Sequence, residues 1–229
     1  MIIYYFLKSQ LLDENLKHTF LFLLVDNAYN PFKWSTFDKG GSINIVNQSR
    51  LSYYNSDGPY NIIRTTEPIS MASASFYFEM KIEDSGVNGA IGIGITQSDP
   101  STRSGAMPGW GYFSTDIGYH GDDGKIFHTN PNAKSKSIDQ AELYTNGDVV
   151  GCFVYRTQIE DEEFIVVQFT NNGKEMSFPR LIKTTDANSQ FLHWYPTIGI
   201  ASLGAIIDTN FGERPFLYLG QGKNCRTSF

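Results

Sequence analysis

The stretch Phe76-Tyr-Phe-Glu-Met-Lys-Ile82 sets Phe76, Phe78, Met80 and Ile82 in alternation with Tyr77, Glu79 and Lys81. A period of two sends successive side chains to opposite faces, so the stretch reads as a strand with one face in a core. Ile91, Ile93 and Ile95, separated by Gly92 and Gly94, repeat the pattern. So do Val150, Cys152 and Val154, and Ile165, Val167 and Phe169. Further strands are expected at 43–46, 51–54, 196–201 and 206–211. Asp57-Gly58, Asp123-Gly124, Asn146-Gly147 and Asn172-Gly173 lie between them, and the second residue of each pair accepts the positive φ of a tight hairpin. Many short strands with frequent turns predict an all-β protein, an antiparallel two-sheet sandwich or jelly roll. Helical spacing is confined to 10–25, where Leu12, Leu16, Phe20 and Leu23 predict a short N-terminal amphipathic helix.

The 229 residues suffice for one domain with appendages, and 41% apolar against 18% charged residues excludes global disorder. With 18 basic and 24 acidic residues, the net charge of -6 leaves no broad positive field, so nucleic acid is not expected as a partner. Cys152 and Cys225 are too few and too far apart for a disulfide scaffold or a zinc site, which fits a reducing compartment, cytoplasmic or also nuclear. The apolar opening Met1-Ile-Ile-Tyr-Tyr-Phe-Leu7 lacks the basic flank and cleavage site of a signal peptide. The run 20–25 is far shorter than the roughly 20 residues that cross a bilayer, so no membrane span is expected. Asn47-Gln-Ser49 is a formal glycosylation sequon that matters only in a secreted protein.

Gly89-Ala-Ile-Gly-Ile-Gly94 imitates a nucleotide-binding loop, but its glycines alternate inside a strand instead of leading into a helix, so no cofactor is expected. Glycines on one face of a strand more often admit a neighbouring backbone or ring. His120, Asp122, Asp123 and His128 are the densest polar group and the candidate metal cluster. If 118–120 and 125–128 flank a turn, the two imidazoles lie on opposite faces and the aspartates cap turn amides, so no metal is expected. There is no Gly-x-Ser-x-Gly elbow, and Glu83-Asp84 and Asp122-Asp123 are adjacent instead of placed to flank a bond. A catalytic site is therefore not expected.

Pro108-Gly-Trp110, Gly118-Tyr-His-Gly-Asp-Asp-Gly124, Gly147-Asp-Val-Val-Gly-Cys152, Phe169-Thr-Asn-Asn-Gly173, Tyr195-Pro-Thr-Ile-Gly199 and Asp208-Thr-Asn-Phe-Gly212 follow one another in an order and spacing that resembles a SPRY domain. Trp34-Ser-Thr-Phe-Asp38, Leu51-Ser-Tyr53 and Pro68-Ile69 extend the resemblance, which is greatest to the Ran-binding protein M branch. The resemblance implies a bent sandwich of two antiparallel sheets, related to the concanavalin A-like jelly roll. It also implies a protein-binding adaptor or scaffold without catalytic residues or cofactor, and in some branches one that selects substrates for ubiquitin ligases. A lectin-like carbohydrate-binding module is the alternative on the same architecture.

The expected organisation is an N-terminal extension at 1–27, a SPRY domain at 28–219 and a C-terminal tail at 220–229. Related domains grip a peptide or protein partner through edge loops, which correspond here to 29–33, to 103–107 with Tyr112, and to 202–204. The expected contacts are Tyr29, Arg103, Tyr112 and Leu203, with Asp99 and Asp116 as a polar rim. Trp110, Tyr119 and Phe211, inside the framework motifs, are expected to support the fold. The segment 131–140 is expected to be a loop, 160–163 a solvated acidic loop, and 158–163 an insertion in place of a tight hairpin.

Overall fold

A computed structural model describes residues 32–55, 61–70, 75–97, 107–110, 116–130, 135–183 and 193–220. The expected N-terminal helix and the Asp57-Gly58 turn lie outside them. The described residues form two antiparallel sheets, with strands numbered along the chain. The first runs in the order β1 (Trp34–Lys39), β4 (Asn61–Thr65), β14 (Tyr195–Ile200), β6 (Ile91–Thr96), β7 (Ile117–His120), β8 (Lys125–Asn130) and β9 (Ser135–Gln140). The second runs β12 (Lys174–Glu175), β11 (Glu162–Asn171), β10 (Val149–Ile159), β5 (Ser75–Asp84), β15 (Ile206–Asn210), β3 (Arg50–Tyr53) and β2 (Ile43–Ile45). β13 (Arg180–Lys183) lies along the outer edge of β11. This is the all-β sandwich expected from the alternation, and no described residue is helical. Among the connections at which the chain changes sheet, 85–90, 141–148 and 201–205 are hydrogen-bonded to one another and so lie together at one end of the sandwich.

The inner faces carry the apolar member of each alternating pair. Phe78, Met80 and Ile82 of β5 oppose the isoleucines of β6 in one buried cluster. Phe211 is nine-tenths or more buried and stacks on Phe78 at 5.6 Å between centroids. Trp34 packs against the same ring at 5.2 Å, and its Nε1 donates to Thr209 Oγ1 at 3.1 Å, so the polar end of the indole is satisfied inside the core. Tyr119 is also fully buried, edge-on to Tyr144 at 5.0 Å, with its hydroxyl donating to the Glu142 carbonyl. These placements bear out the structural reading of Tyr119 and Phe211.

Three expectations are corrected. Trp110 is 40% exposed and rests on the outside of the first sheet, edge-on to Phe127, because it closes a turn instead of entering a strand. Residues 135–140, read as loop, form β9 and pair residue by residue with β8. The acidic segment 160–163 is solvated as expected, but 158–163 does not replace a tight hairpin: Ile159 pairs with Glu162, and Glu160 and Asp161 form a two-residue turn with φ of 47° and 64°. Positive φ at both central residues matches the turn type that follows the twist of the strands, and the uninterrupted ladder on either side holds it despite the side chains.

The outer face of the second sheet carries a smaller aromatic cluster of Tyr77, Phe153 and Tyr218, with Tyr155 and Phe216 against it. Segment 215–220 crosses this face. It is fastened by the buried carboxylate of Glu79, which accepts from Leu217 N, Asn210 Nδ2 and the Tyr77 hydroxyl. Burial raises the Glu79 carboxyl above the ordinary glutamate range, and these hydrogen bonds offset only part of the rise.

Phe211→Ala should cost about 3–5 kcal/mol in urea unfolding, whereas half-exposed Trp110→Ala should cost about 1–2 kcal/mol. An equal loss for both would contradict the placement of Trp110. Because the folded-state Glu79 carboxyl binds its proton more tightly than the unfolded one, ionising it costs stability above its folded value, and that cost disappears as pH falls towards the unfolded value. The wild type should therefore gain stability relative to Glu79→Gln as pH is lowered from 7 to about 5. The opposite trend in paired urea titrations would contradict the assignment.

Candidate interaction surface

The end of the sandwich where the chain changes sheet is organised by one hydroxyl. Ser202 is fully buried, its Oγ donates to the Ser85 carbonyl at 2.6 Å, and it accepts from Asn88 N and Gly89 N at 3.1 Å each. The turns 85–90 and 201–205 are thereby joined. Val87 N donates to the Leu203 carbonyl, and Gly204 N donates to the Tyr53 carbonyl, which brings the end of β3 into the same surface. The connection 141–148 joins through Asn146 Oδ1, which accepts from Ser85 N at 2.6 Å. The β7–β8 turn joins through Gly121, whose missing Cβ is replaced by the Tyr144 ring. With their backbones held, Val87 is 76%, Tyr54 62% and Leu143 64% exposed, and Leu203 is half-buried between the turns. An apolar, polar-rimmed surface on a rigid end suits recognition of a partner.

The neighbouring outer face of the first sheet explains the alternating glycines. Gly199 pairs with Gly92, and Gly94 with Gly118, so two neighbouring pairs lack side chains, in rows that continue into His120 and Phe127. The turn 107–110 lies in this lane. It is closed by reciprocal backbone bonds between Met107 and Trp110, with Pro108 and positive-φ Gly109 at the positions a type II turn requires. A Cβ on Gly118 would fall 2.1 Å from the Pro108 carbonyl oxygen, and one on Gly199 2.6 Å from the Met107 sulfur. The glycines admit a neighbouring segment, as the strand reading expects, and not a phosphate.

Of the residues expected at the partner edge, Leu203 takes its place at the turn end. Tyr29, Asp99, Arg103 and Tyr112 lie outside the described residues. Asp116 is fully buried, and its Oδ1 accepts from Thr96 Oγ1 at 2.6 Å, so it braces the far end of β6 and β7 and does not form an exposed rim. Sequence reasoning passed over Val87, Tyr54 and Leu143, since single apolar residues in turns are ordinary; only the sheet-switching connections bring them together.

His120, Asp122 and Asp123 approach within 4.8 Å of one another. Ile117 pairs with His128 and Gly118 with Phe127, so His128 shares the inner face of the ribbon and His120 the outer one. The His120 Nε2 is 2.7 Å from the Pro108 carbonyl, to which it donates, and Asp123 accepts from Lys125 N while its other oxygen pairs with Lys125 Nζ. These bonds give the group a structural occupation, fastening the turn 107–110 and capping the β7–β8 turn. Cys152 is buried on the inner face of β10, where burial pushes its thiol far above the ordinary range, against nucleophilic use.

A family model described as SPRY domain matches residues 75–214. Ran-binding protein 10 of Danio rerio is 31% identical over 211 residues, 90% of this chain and 32% of that protein. Ran-binding protein 9 of Homo sapiens is 32% identical over 204 residues, 86% of this chain and 25% of that protein. The chain thus spans a quarter to a third of the length of these two relatives. A crystal structure of a human SPRY domain superposes with a TM-score of 0.59 at 24% identity, over 77% of this chain and 99% of that one, a likeness of fold.

Ser202→Ala leaves the Asn88 and Gly89 amides without their partner and should cost about 2–3 kcal/mol, while Gly118→Ala should lift the 107–110 turn and speed exchange of the Met107 and Trp110 backbone amides that close it. Unchanged urea unfolding for the first, or unchanged exchange of these amides by NMR for the second, would contradict the geometry.

Proposed function

Because the chain belongs to the SPRY domain family, we propose that it is a non-catalytic interaction module that binds a partner peptide or protein at the end of the sandwich joined by Ser202. The observation that carries this reading is the exposure of Tyr54 and Val87 beside Leu203 on turns whose backbones are hydrogen-bonded to one another. Exposed aromatic and aliphatic groups on a rigid base are the usual anchors of recognition, because little conformational freedom is lost when they are covered. Tyr29, Asp99, Arg103 and Tyr112 enter the proposal only through the edge loops of related domains. Asp116 belongs to it as a buried brace. Recruitment of substrates to a ubiquitin ligase in the cytoplasm or nucleus is the finer form of the proposal, supported by the resemblance to the Ran-binding protein M branch.

The test sets two variants against wild type in partner capture and in thermal melting: Tyr54→Ala/Val87→Ala/Leu203→Ala on the turn end, whose loss of capture carries the proposal, and Tyr29→Ala/Arg103→Ala/Tyr112→Ala on the expected edge loops. Capture by the first should fall at least about tenfold, with each substitution changing stability within about 0.5 kcal/mol. Undiminished capture of every wild-type partner by the first would contradict the surface. Glycan-array binding in place of protein capture would establish the lectin alternative.

A further inference from the structure

Lys39, bonded to the Ile43 carbonyl, and Lys174, beyond the Asn172 that is bonded to Asp148, lie at the margins of this surface, and the charge on the four turns between them is one-sided. The turns 84–90, 121–125, 141–148 and 201–205 carry Asp84, Asp122, Asp123, Glu142 and Asp148 against a single cation, Lys125, which is itself 3.1 Å from Asp123. Where these carboxylates serve the backbone, their donors are mostly neutral amides: Gly86 N to Asp84, Lys125 N to Asp123 and Thr145 N to Asp148. Such bonds fix the position of a carboxylate without cancelling its charge. The field also reaches inward. Burial raises the phenols of Tyr119 and Tyr144, and beyond it Glu142 and Asp148 act on Tyr119 and Asp122 and Asp123 on Tyr144 in the same direction.

Exposed Val87 and Leu143 stand among these carboxylates, on connections joined by the Asn146 bond to Ser85. An apolar patch ringed by one sign of charge rejects partners of that sign and steers those of the other. We propose that the occupant of this surface is a basic peptide segment, in which Lys or Arg residues flank an aliphatic or aromatic anchor. The inference rests on the interaction surface proposed above and names the chemical class of its partner. The apolar anchor would cover Val87, Leu203 and Leu143, and the flanking cations would face the carboxylates of the β7–β8 and β9–β10 connections. Exposed charges act over roughly one Debye length, about 8 Å at physiological salt, so the cations must lie within two or three residues of the anchor.

A random peptide display library of about twelve residues, selected on the immobilised full chain at about 0.05 M salt, tests this. The enriched peptides should carry net positive charge beside an apolar residue. A representative enriched peptide should bind at least about tenfold more weakly at 0.5 M salt, and at least about fivefold more weakly to Asp122→Asn/Glu142→Gln, whose substituted groups carry none of the turn hydrogen bonds named above. Enrichment of neutral or acidic peptides, or unchanged affinity for the double variant, overturns the basic partner. Neutral or acidic peptides that lose affinity on Leu203→Ala would leave the interaction surface standing while removing its charge preference. Peptides indifferent to Leu203→Ala, or no enrichment at all, would remove both.

Discussion

The hydroxyl of Ser202 stands where two sheets with no common strand must be joined. It donates to Ser85 and accepts from Asn88 and Gly89, so one buried group satisfies three backbone atoms on the opposite side of the crossing. A carbon in its place would leave the amide of half-buried Gly89 and that of Asn88 without their acceptor, a larger loss than the bonds themselves contribute. Fixing 85–90 against 201–205 in turn places Val87 beside Leu203, and the Asn146 bond to Ser85 brings in the connection that carries Leu143. The exposed surface is thus a consequence of how the sheets are connected and not of any continuous sequence motif.

The same end depends on a second constraint across the first sheet. Gly92, Gly94, Gly118 and Gly199 give up side-chain packing and backbone rigidity in their strands, a cost near 1 kcal/mol for each. What offsets it is the close seating of 107–110, whose Pro108 carbonyl receives His120 and whose Trp110 covers Phe127. On the opposite sheet the Glu79 carboxylate does comparable work for segment 215–220. Each sheet therefore has its outer face partly covered by chain held through one polar group, and among the described residues the switching end carries no such cover.

The fold was legible wherever burial on one face imposed alternation, as in β5, β6, β10 and β11. It was not legible where pairing alone makes the strand. Ser135-Lys-Ser-Ile-Asp-Gln140 has no apolar alternation, yet β8 supplies a complete ladder for it. Glu160-Asp161 contains no glycine, and its turn geometry is set by the strands on either side. Trp110 was misread because a large ring in a framework motif suggests a core, whereas Pro-Gly before it specifies a turn, and only the glycine lane shows where that turn lies. At the surface, Leu203 is singled out by the family resemblance, and the structure puts it half-buried between two turns. Val87, Tyr54 and Leu143 were not, since they converge from three connections distant in sequence. Asp116 carried no signal that would separate a buried brace from an exposed rim.

Amide hydrogen exchange of the full chain, with and without a bound partner, tests the placement of the recognition surface most directly. Protection should increase in 85–90, 141–148 and 201–205 together, because these turns share hydrogen bonds and slow as one unit when their exposed side is covered. Protection confined to 215–220 and the outer face of the second sheet, with the three turns unchanged, would contradict it.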